Sequence, residues 1–373
     1  MNILVLNWRD PKNPKAGGAE FVTMKHARSW VAAGHTVTWF TSSFPGARRH
    51  ETIEGVQFVR WGGERSVILL APSFYISRHK EFDIVVDEIH GLPFFTPLFV
   101  RKPIIAFIHE VAAEIWNTMY PFPINVFGRI IEPIFFPLYR RVPFWTDAQA
   151  TIGDLQSHGI KATQCHAIPC PIANIPVPRL PKKEALPTFL FVSRIVKMKG
   201  IEDVIRAFSF IAQALPSARL WVVGIGEQRY VDDVRRRIES LALVPRVRFF
   251  GYVSEESKLS LMRRAHILLH ASVKEGWGLV VLEAASQGTP AVVYNVPGLS
   301  EVVKHGRTGI VVSANTPRTM ADAATSLYHN RDQYTSFQRR GIAWAKSLRW
   351  EDVTKQSLAL LLETYEKQKL SCH

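Results

Sequence analysis

The stretch HILLHASVKEGWGLVVLEAASQGTPAVVYN, residues 266–295, decides the fold. Its apolar opening reads as a strand ending near Ser272. A loop with Gly276 and Gly278 follows, then a helix that starts near Gly278 and stops at Gly288 before Pro290, then the strand AVVYN. This is a strand–helix–strand unit of a parallel sheet buried on both faces. Ligands of open parallel sheets bind beyond the carboxyl ends of the strands. A helix N-terminus there offers unpaired N–H groups and partial positive charge to a phosphate. Glu275 lies in the loop and Glu283 on the helix, so a carboxylate on each side of the anion site can accept hydrogen bonds from hydroxyls.

The same alternation runs through the chain. ILVLNW, a glycine loop, a helical pattern from Ala19 to Ala33 and TVTWFTS open it; VQFVRW, FDIVVDEI and PIIAFIHE continue it. Residues 168–187 hold six prolines in twenty positions, which forbids helix and central strand alike and marks a linker. Strands then resume at FLFVSR, ARLWVVG and VRFFGYV with helices between, the first from about Ile201 to Leu215. The expected fold class is α/β, two doubly wound parallel-sheet domains facing a cleft. The boundaries are 1–175, 176–349 and a final amphipathic helix over 350–373.

A chain of 373 residues with 47% hydrophobic and 21% charged residues is an ordinary globular protein long enough for two domains. The opening MNILVLNWRD predicts no secretory leader, and Cys165, Cys170 and Cys372 form neither a disulfide framework nor a zinc pair, so a reducing cytoplasm is expected. The net charge of +14 is concentrated beyond residue 170, where 29 basic side chains face 18 acidic ones. Basic clusters suit an anionic partner or simply solvated helix faces. Residues 120–145 carry five prolines and four charges, which excludes a membrane span. Two readings of that segment stay open: helices buried against the sheet, or a surface that meets lipid, with Arg129, Arg140 and Arg141 at headgroup level.

The motifs carry a resemblance. E-G-W-G-L-V-V-L-E, then A-x-x-x-G-T-P-A-V and G-L-S-E-V-V-x-x-G-x-T-G, resemble the Glu-x7-Glu signature of retaining family-4 glycosyltransferases with the GT-B fold. S-R-I-V-K-M-K-G at 193–200 is similar to that family's diphosphate clamp. A-R-L-W-V-V-G-I-G and V-R-F-F-G-Y-V resemble its strand ends around the nucleoside, and G-G-A-E at 17–20 its N-terminal glycine loop. The final W-E-x-V helix resembles the one that crosses back to the first domain. The chain has A-I-P-C-P-I-A-N at 167–174 where the family often has Asn-Gly-Val-Asp.

The resemblance implies a transferase that takes a sugar from a nucleoside diphosphate donor with retention. Glu283 would hold the ribose hydroxyls and Glu275 a hydroxyl of the donor sugar. The N–H groups around Gly278 and Leu279 would face the phosphate or sugar. Arg194 and Lys199 would neutralise the departing diphosphate, so no metal and no cofactor are expected. Gly17 and Gly18 would bring backbone donors across the cleft, and His109, closing the strand PIIAFIHE, would contact the sugar near the reacting carbon. Asp87, Glu88, His90 and Glu110 are candidates for the acceptor proton. The acceptor would be a carbohydrate or a lipid-linked molecule, with attachment to an anionic inner membrane surface as a further expectation, and the charged R-D-P-K-N-P-K loop at 9–15 would serve it.

Two other classes fit parts of the sequence. V-G-I-G-E-Q-R at 223–229 suggests a nicotinamide dehydrogenase but lacks a third glycine. The charge suggests a nucleic-acid or membrane-surface binder, yet no nucleic-acid module is present and no nucleic acid is expected as a partner.

Overall fold

The computed structural model describes residues 1–112, 114–119 and 121–371. Cys372, and Tyr120 at the head of the 120–145 segment, lie outside the described residues. The chain forms two compact units, one of residues 1–113, 123–170 and 349–373, the other of 114–122 and 171–348.

In the first unit the order is β1 (Asn2–Leu6), α1 (Gly18–Ala32), β2 (Thr36–Thr41), β3 (His50–Ile53), β4 (Val56–Arg60), α2 (Val67–Arg78), β5 (Ile84–Ile89) and β6 (Ile104–Ile108). The short α3 (Glu114–Met119) counts with the second unit, after which α4 (Ile124–Phe135), β7 (Phe144–Thr146), α5 (Gln149–Ser157) and β8 (Cys165–Ala167) complete the sheet. The strand order is β3-β4-β2-β1-β5-β6-β7-β8, parallel except for the β3–β4 pair. Ile3 to Leu6 are wholly buried, as a central strand covered on both faces requires.

No regular element falls between β8 and β9 (Thr188–Val192), where the prolines cluster. The second unit continues with α6 (Ile201–Ala214), β10 (Arg219–Val223), α7 (Gln228–Ser240), β11 (Val247–Gly251), α8 (Glu255–Arg264), β12 (Ile267–His270), α9 (Leu279–Ser286), β13 (Ala291–Val293), α10 (Leu299–Val302), β14 (Gly309–Val311), α11 (Pro317–His329) and α12 (Arg331–Ser347). Its sheet is parallel throughout, in the order β11-β10-β9-β12-β13-β14.

The last helix, α13 (Trp350–Ser371), returns to the first unit and packs on α1. Buried Ser357 is the seat: its Oγ lies 2.8 Å from His26 Nδ1 and accepts from Trp30 Nε1 at 3.1 Å. Burial drives the His26 pKa down to about 3, so this contact is built on a neutral imidazole.

The 120–145 segment divides between its two readings. One face of α4 is buried, with Phe135, Phe136 and Tyr139 in a core cluster beside Ile108 and Phe144. The opposite face is apolar and exposed, so burial of the whole segment does not hold.

Candidate active site

Doubly wound sheets bind ligands where the strand order reverses. In the second unit the chain runs from β9 to β10 and β11 on one side, then returns to the other side of β9 at β12. The switch point therefore lies between the carboxyl ends of β9 and β12. Lys199 follows β9 and Glu275 follows β12, and the structure joins them: Lys199 Nζ is 2.6 Å from Glu275 Oε1. Backbone ties hold the two loops together, since Val273 N–H donates to the Met198 carbonyl at 2.9 Å.

Glu275 Oε1 also accepts from His270 Nε2 at 2.9 Å and Ser272 Oγ at 3.0 Å. Burial alone would raise the Glu275 pKa, but the Lys199 ammonium and the His270 contact hold it well below the carboxylate range. Every one of these donors meets Oε1, which leaves Oε2 without a donor among the described residues.

Three residues on, Gly278 caps α9 at φ +93°, a left-handed geometry that favours glycine. The first bond of the helix runs from Val281 N–H to the Gly278 carbonyl, so the N–H groups of Leu279 and Val280 precede it. Further along α9, Glu283 Oε2 lies 2.9 Å from Lys258 Nζ on α8. Burial raises the Glu283 pKa against the pull of Lys258. Arg194 follows β9 as well; it is exposed and makes no side-chain hydrogen bond or ion pair among the described residues. Buried Lys274, one residue before Glu275, reaches Glu114 Oε2 of α3 at 3.4 Å.

Gly224 and Gly226 have a packing role. A Cβ on Gly224 would stand 1.8 Å from the Ser193 carbonyl oxygen, and one on Gly226 2.1 Å from that of Ile195. The pair lets the end of β10 lie against the end of β9, which accounts for V-G-I-G without a dinucleotide turn.

The first unit has its own switch point between β1 and β5. Trp8, after β1, stacks on His90, after β5, with ring centroids 5.7 Å apart. His90 Nε2 lies 2.9 Å and His109 Nε2 3.2 Å from the same oxygen, Glu88 Oε1. His109 Nδ1 is 2.5 Å from Asp147 Oδ2, and the Cys170 thiol donates to Asp147 Oδ1 at 2.9 Å. Burial would lower the His109 pKa, but the Asp147 and Glu88 carboxylates raise it well above the ordinary value. Glu88 is pulled down to about 2, its burial outweighed by the two histidines.

Ligand atoms of Glu88, His90 and His109 lie within 4.8 Å of one another, close enough to hold a cation. However, both His109 nitrogens already face carboxylates, which describes an ion-paired imidazolium. The two acids beside His90 differ in kind. Asp87 is buried and takes Thr96 Oγ1 at 2.6 Å, Tyr139 Oη at 2.5 Å and Phe94 N–H at 3.0 Å, so it ties the fold together. Glu88 Oε2 is buried without a partner among the described residues.

Gly17 and Gly18 open α1, where the Gly17 N–H already donates to Glu20 Oε2 at 2.7 Å. Two of the four charges of the 9–15 loop turn inward, where Arg60 Nε meets buried Asp10 at 2.6 Å and Arg9 Nε lies 3.0 Å from Glu20, while Lys12 and Lys15 are exposed. The inward pair holds the loop in place.

Comparison with known proteins agrees with this architecture. The model described as "Glycosyltransferase Family 4" matches residues 16–173 and that described as "Glycosyl transferases group 1" matches 177–344. The chain belongs to the family-4 glycosyltransferases of the GT-B type. An uncharacterized glycosyltransferase of Methanocaldococcus jannaschii is 32% identical over 45% of this chain and 43% of its own. The D-inositol 3-phosphate glycosyltransferase of Paenarthrobacter aurescens is 31% identical over 48% of this chain and 43% of its own. The chain thus matches less than half the length of these relatives. Among solved structures, sucrose-phosphate synthase of Thermosynechococcus elongatus superposes with a TM-score of 0.82 at 18% identity, covering 98% of this chain and 99% of that one. HepE of Anabaena in complex with UDP-glucose gives 0.75 at 18% identity, covering 97% and 100%.

Proposed function

We propose that this glycosyltransferase is a retaining enzyme that moves a sugar from a nucleoside diphosphate to a carbohydrate or lipid-linked acceptor without a metal. The observation that carries the reading is the Lys199–Glu275 contact at the β9/β12 switch point, three residues before the start of α9. Glu275 offers its unoccupied Oε2 to a sugar hydroxyl while Oε1 positions Lys199. Glu283 accepts from the ribose hydroxyls, and the N–H groups at Gly278 and Leu279 face the phosphate.

In the reaction the bond from the anomeric carbon to the phosphate oxygen breaks, and the acceptor oxygen bonds to that carbon on the same face. The acceptor proton passes to the departing phosphate oxygen. Negative charge grows on the diphosphate, and two cations stabilise it where other enzymes use a divalent ion: Lys199, held by Glu275, and the exposed Arg194, which is free to close on the ligand. His109, with Gly17 and Gly18, serves the sugar side, its imidazolium set by Asp147 and Glu88. That HepE was solved with UDP-glucose favours a uridine nucleotide here. The work is cytoplasmic, at the inner face of the membrane, where a net charge of +14 meets anionic lipid. No helix of the described residues is long and apolar enough to cross a membrane.

Thermal-shift screening against UDP, GDP and ADP tests the donor site. A ligand at 100 times its Kd stabilises by about 2.7 kcal/mol. No shift with any of them, alongside a response to NAD, would return the nicotinamide reading. The anomeric configuration of the product by NMR tests retention.

A further inference from the structure

The apolar surface of α4 is more than the fold needs. Gly128, Glu132 and Phe135 face inward, and Glu132 Oε1 accepts the Ala112 N–H at 2.6 Å. On the other side Val126, Phe127, Ile130 and Ile134 form a stripe in which Phe127 and Ile134 are each 64% exposed and Ile130 56%. Single exposed apolar residues are ordinary; a continuous stripe on one helix marks a surface that meets something apolar. Leu138, in the turn after α4, extends the stripe and is 40% exposed.

Leu138 also lines a groove of about 720 Å³ at the amino ends of β6 and β7, together with Arg101, Lys102 and Arg141. Glu363 of α13, which also lines it, pairs with Lys367 at 2.5 Å, so the acidic charge in the groove is already matched. An apolar stripe running into a cationic groove fits acyl chains beside anionic headgroups, since an interfacial helix lies with its apolar face at the headgroup boundary and basic residues draw it to anionic lipid.

We propose that α4 and this groove are the element by which the protein lies on an anionic bilayer, the stripe reaching the acyl boundary and the groove taking a phospholipid phosphate. The inference rests on the membrane-side transferase reading and assigns it to particular residues.

Flotation on vesicles tests it, with mixed phosphatidylglycerol and phosphatidylcholine in one arm and phosphatidylcholine alone in the other. The full chain is expected to float with the anionic vesicles at low salt and to remain behind with the neutral ones. A stripe variant, Phe127→Ser with Ile130→Asn, and a groove variant, Arg101→Ala with Arg141→Ala, each lose about tenfold or more in partition. These positions are exposed or line a surface groove, so circular dichroism should be unchanged. The proposal is overturned if the wild type does not float at low salt, if both vesicle types bind it equally, or if either variant floats like the wild type. It is overturned too if sedimentation shows a dimer that the stripe variant abolishes. Thermal shift with UDP is read in parallel on all three proteins; loss of that response with flotation intact counts against the donor site and leaves the surface standing.

Discussion

Lys199 Nζ and Glu275 Oε1 are 2.6 Å apart although 76 positions separate them in sequence. The pair makes one device of two loops, because each charge fixes where the other stands. Lys199→Ala is expected to lower kcat by about 10²–10³, as for loss of one stabiliser of developing negative charge. It also strips Glu275 of the cation that keeps it ionised. Kinetics with saturating donor decide this, and an activity within about twofold of wild type would refute the role.

Glu283→Gln separates donor binding from chemistry. The amide keeps the shape but loses the charge-assisted acceptor, so the Kd for the nucleoside diphosphate should rise about 10–100-fold with a smaller change in kcat. Isothermal titration with the product nucleotide measures it. Lys258→Met, which removes the partner at 2.9 Å, should raise the Glu283 pKa further and weaken binding most below neutral pH.

Asp147→Asn tests the charge state of His109. In the wild type the imidazole stays protonated well above its ordinary pKa because two carboxylates flank it. Removing one should bring its titration down toward neutrality, visible in the pH dependence of its ring resonances. If His109 of the wild type titrates below pH 6.5, the ion-paired description is wrong.

Stability should fall on acidification, and His26 sets the first step. The unfolded chain takes up a proton near pH 6.5, while the buried imidazole resists until about 3. The stabilisation is therefore complete above 6.5 and is lost as pH drops through that interval, at up to about 1.4 kcal/mol per unit. His266, held down to about 4 mainly by burial, adds a slope of the same sign in the second unit. Glu88 acts lower: its contribution is present above about 4.5 and disappears toward 2. Thermal melts from pH 6 to 4, below the range in which the raised pKa of His109 acts in the opposite sense, should show a falling midpoint, less steep in His26→Gln.

Chelation should leave the rate unchanged if the cations at the β9/β12 switch point do a metal's work. The Glu88, His90 and His109 group is the place to look if it does not. Loss of activity in EDTA, restored by a divalent ion and abolished in His90→Ala, would reverse the metal-free assignment.

How much of this the sequence disclosed depended on chain distance. The buried strands announced themselves as apolar runs, and the proline cluster as a break. β3, β7, β8 and β14 did not, for they have three or four residues each and no run long enough to carry a period. At the candidate site, residues on shared motifs were legible, since Glu275, Gly278 and Glu283 lie within nine positions. Their partners were not. Lys258 sits on a different helix, and Asp147 is 38 positions from His109. His270 and Asp147 did carry one signal, their place at the ends of strands, where such sheets collect ligands and by which His90 was picked out. Composition left two readings of residues 120–145 open, and only packing reveals which side of α4 meets the core.

The seat of α13 on Ser357 has a consequence for how the molecule is made. The core of the first unit needs residues synthesised after the whole of the second, so an emerging chain carries past the ribosome exit an N-terminal unit whose helix α1 is still uncovered, while the second unit can already close. His26 and Trp30 wait for a hydroxyl more than three hundred residues downstream. A chain halted before Trp350 should hold a folded second unit beside a first unit that chaperones and proteases still recognise.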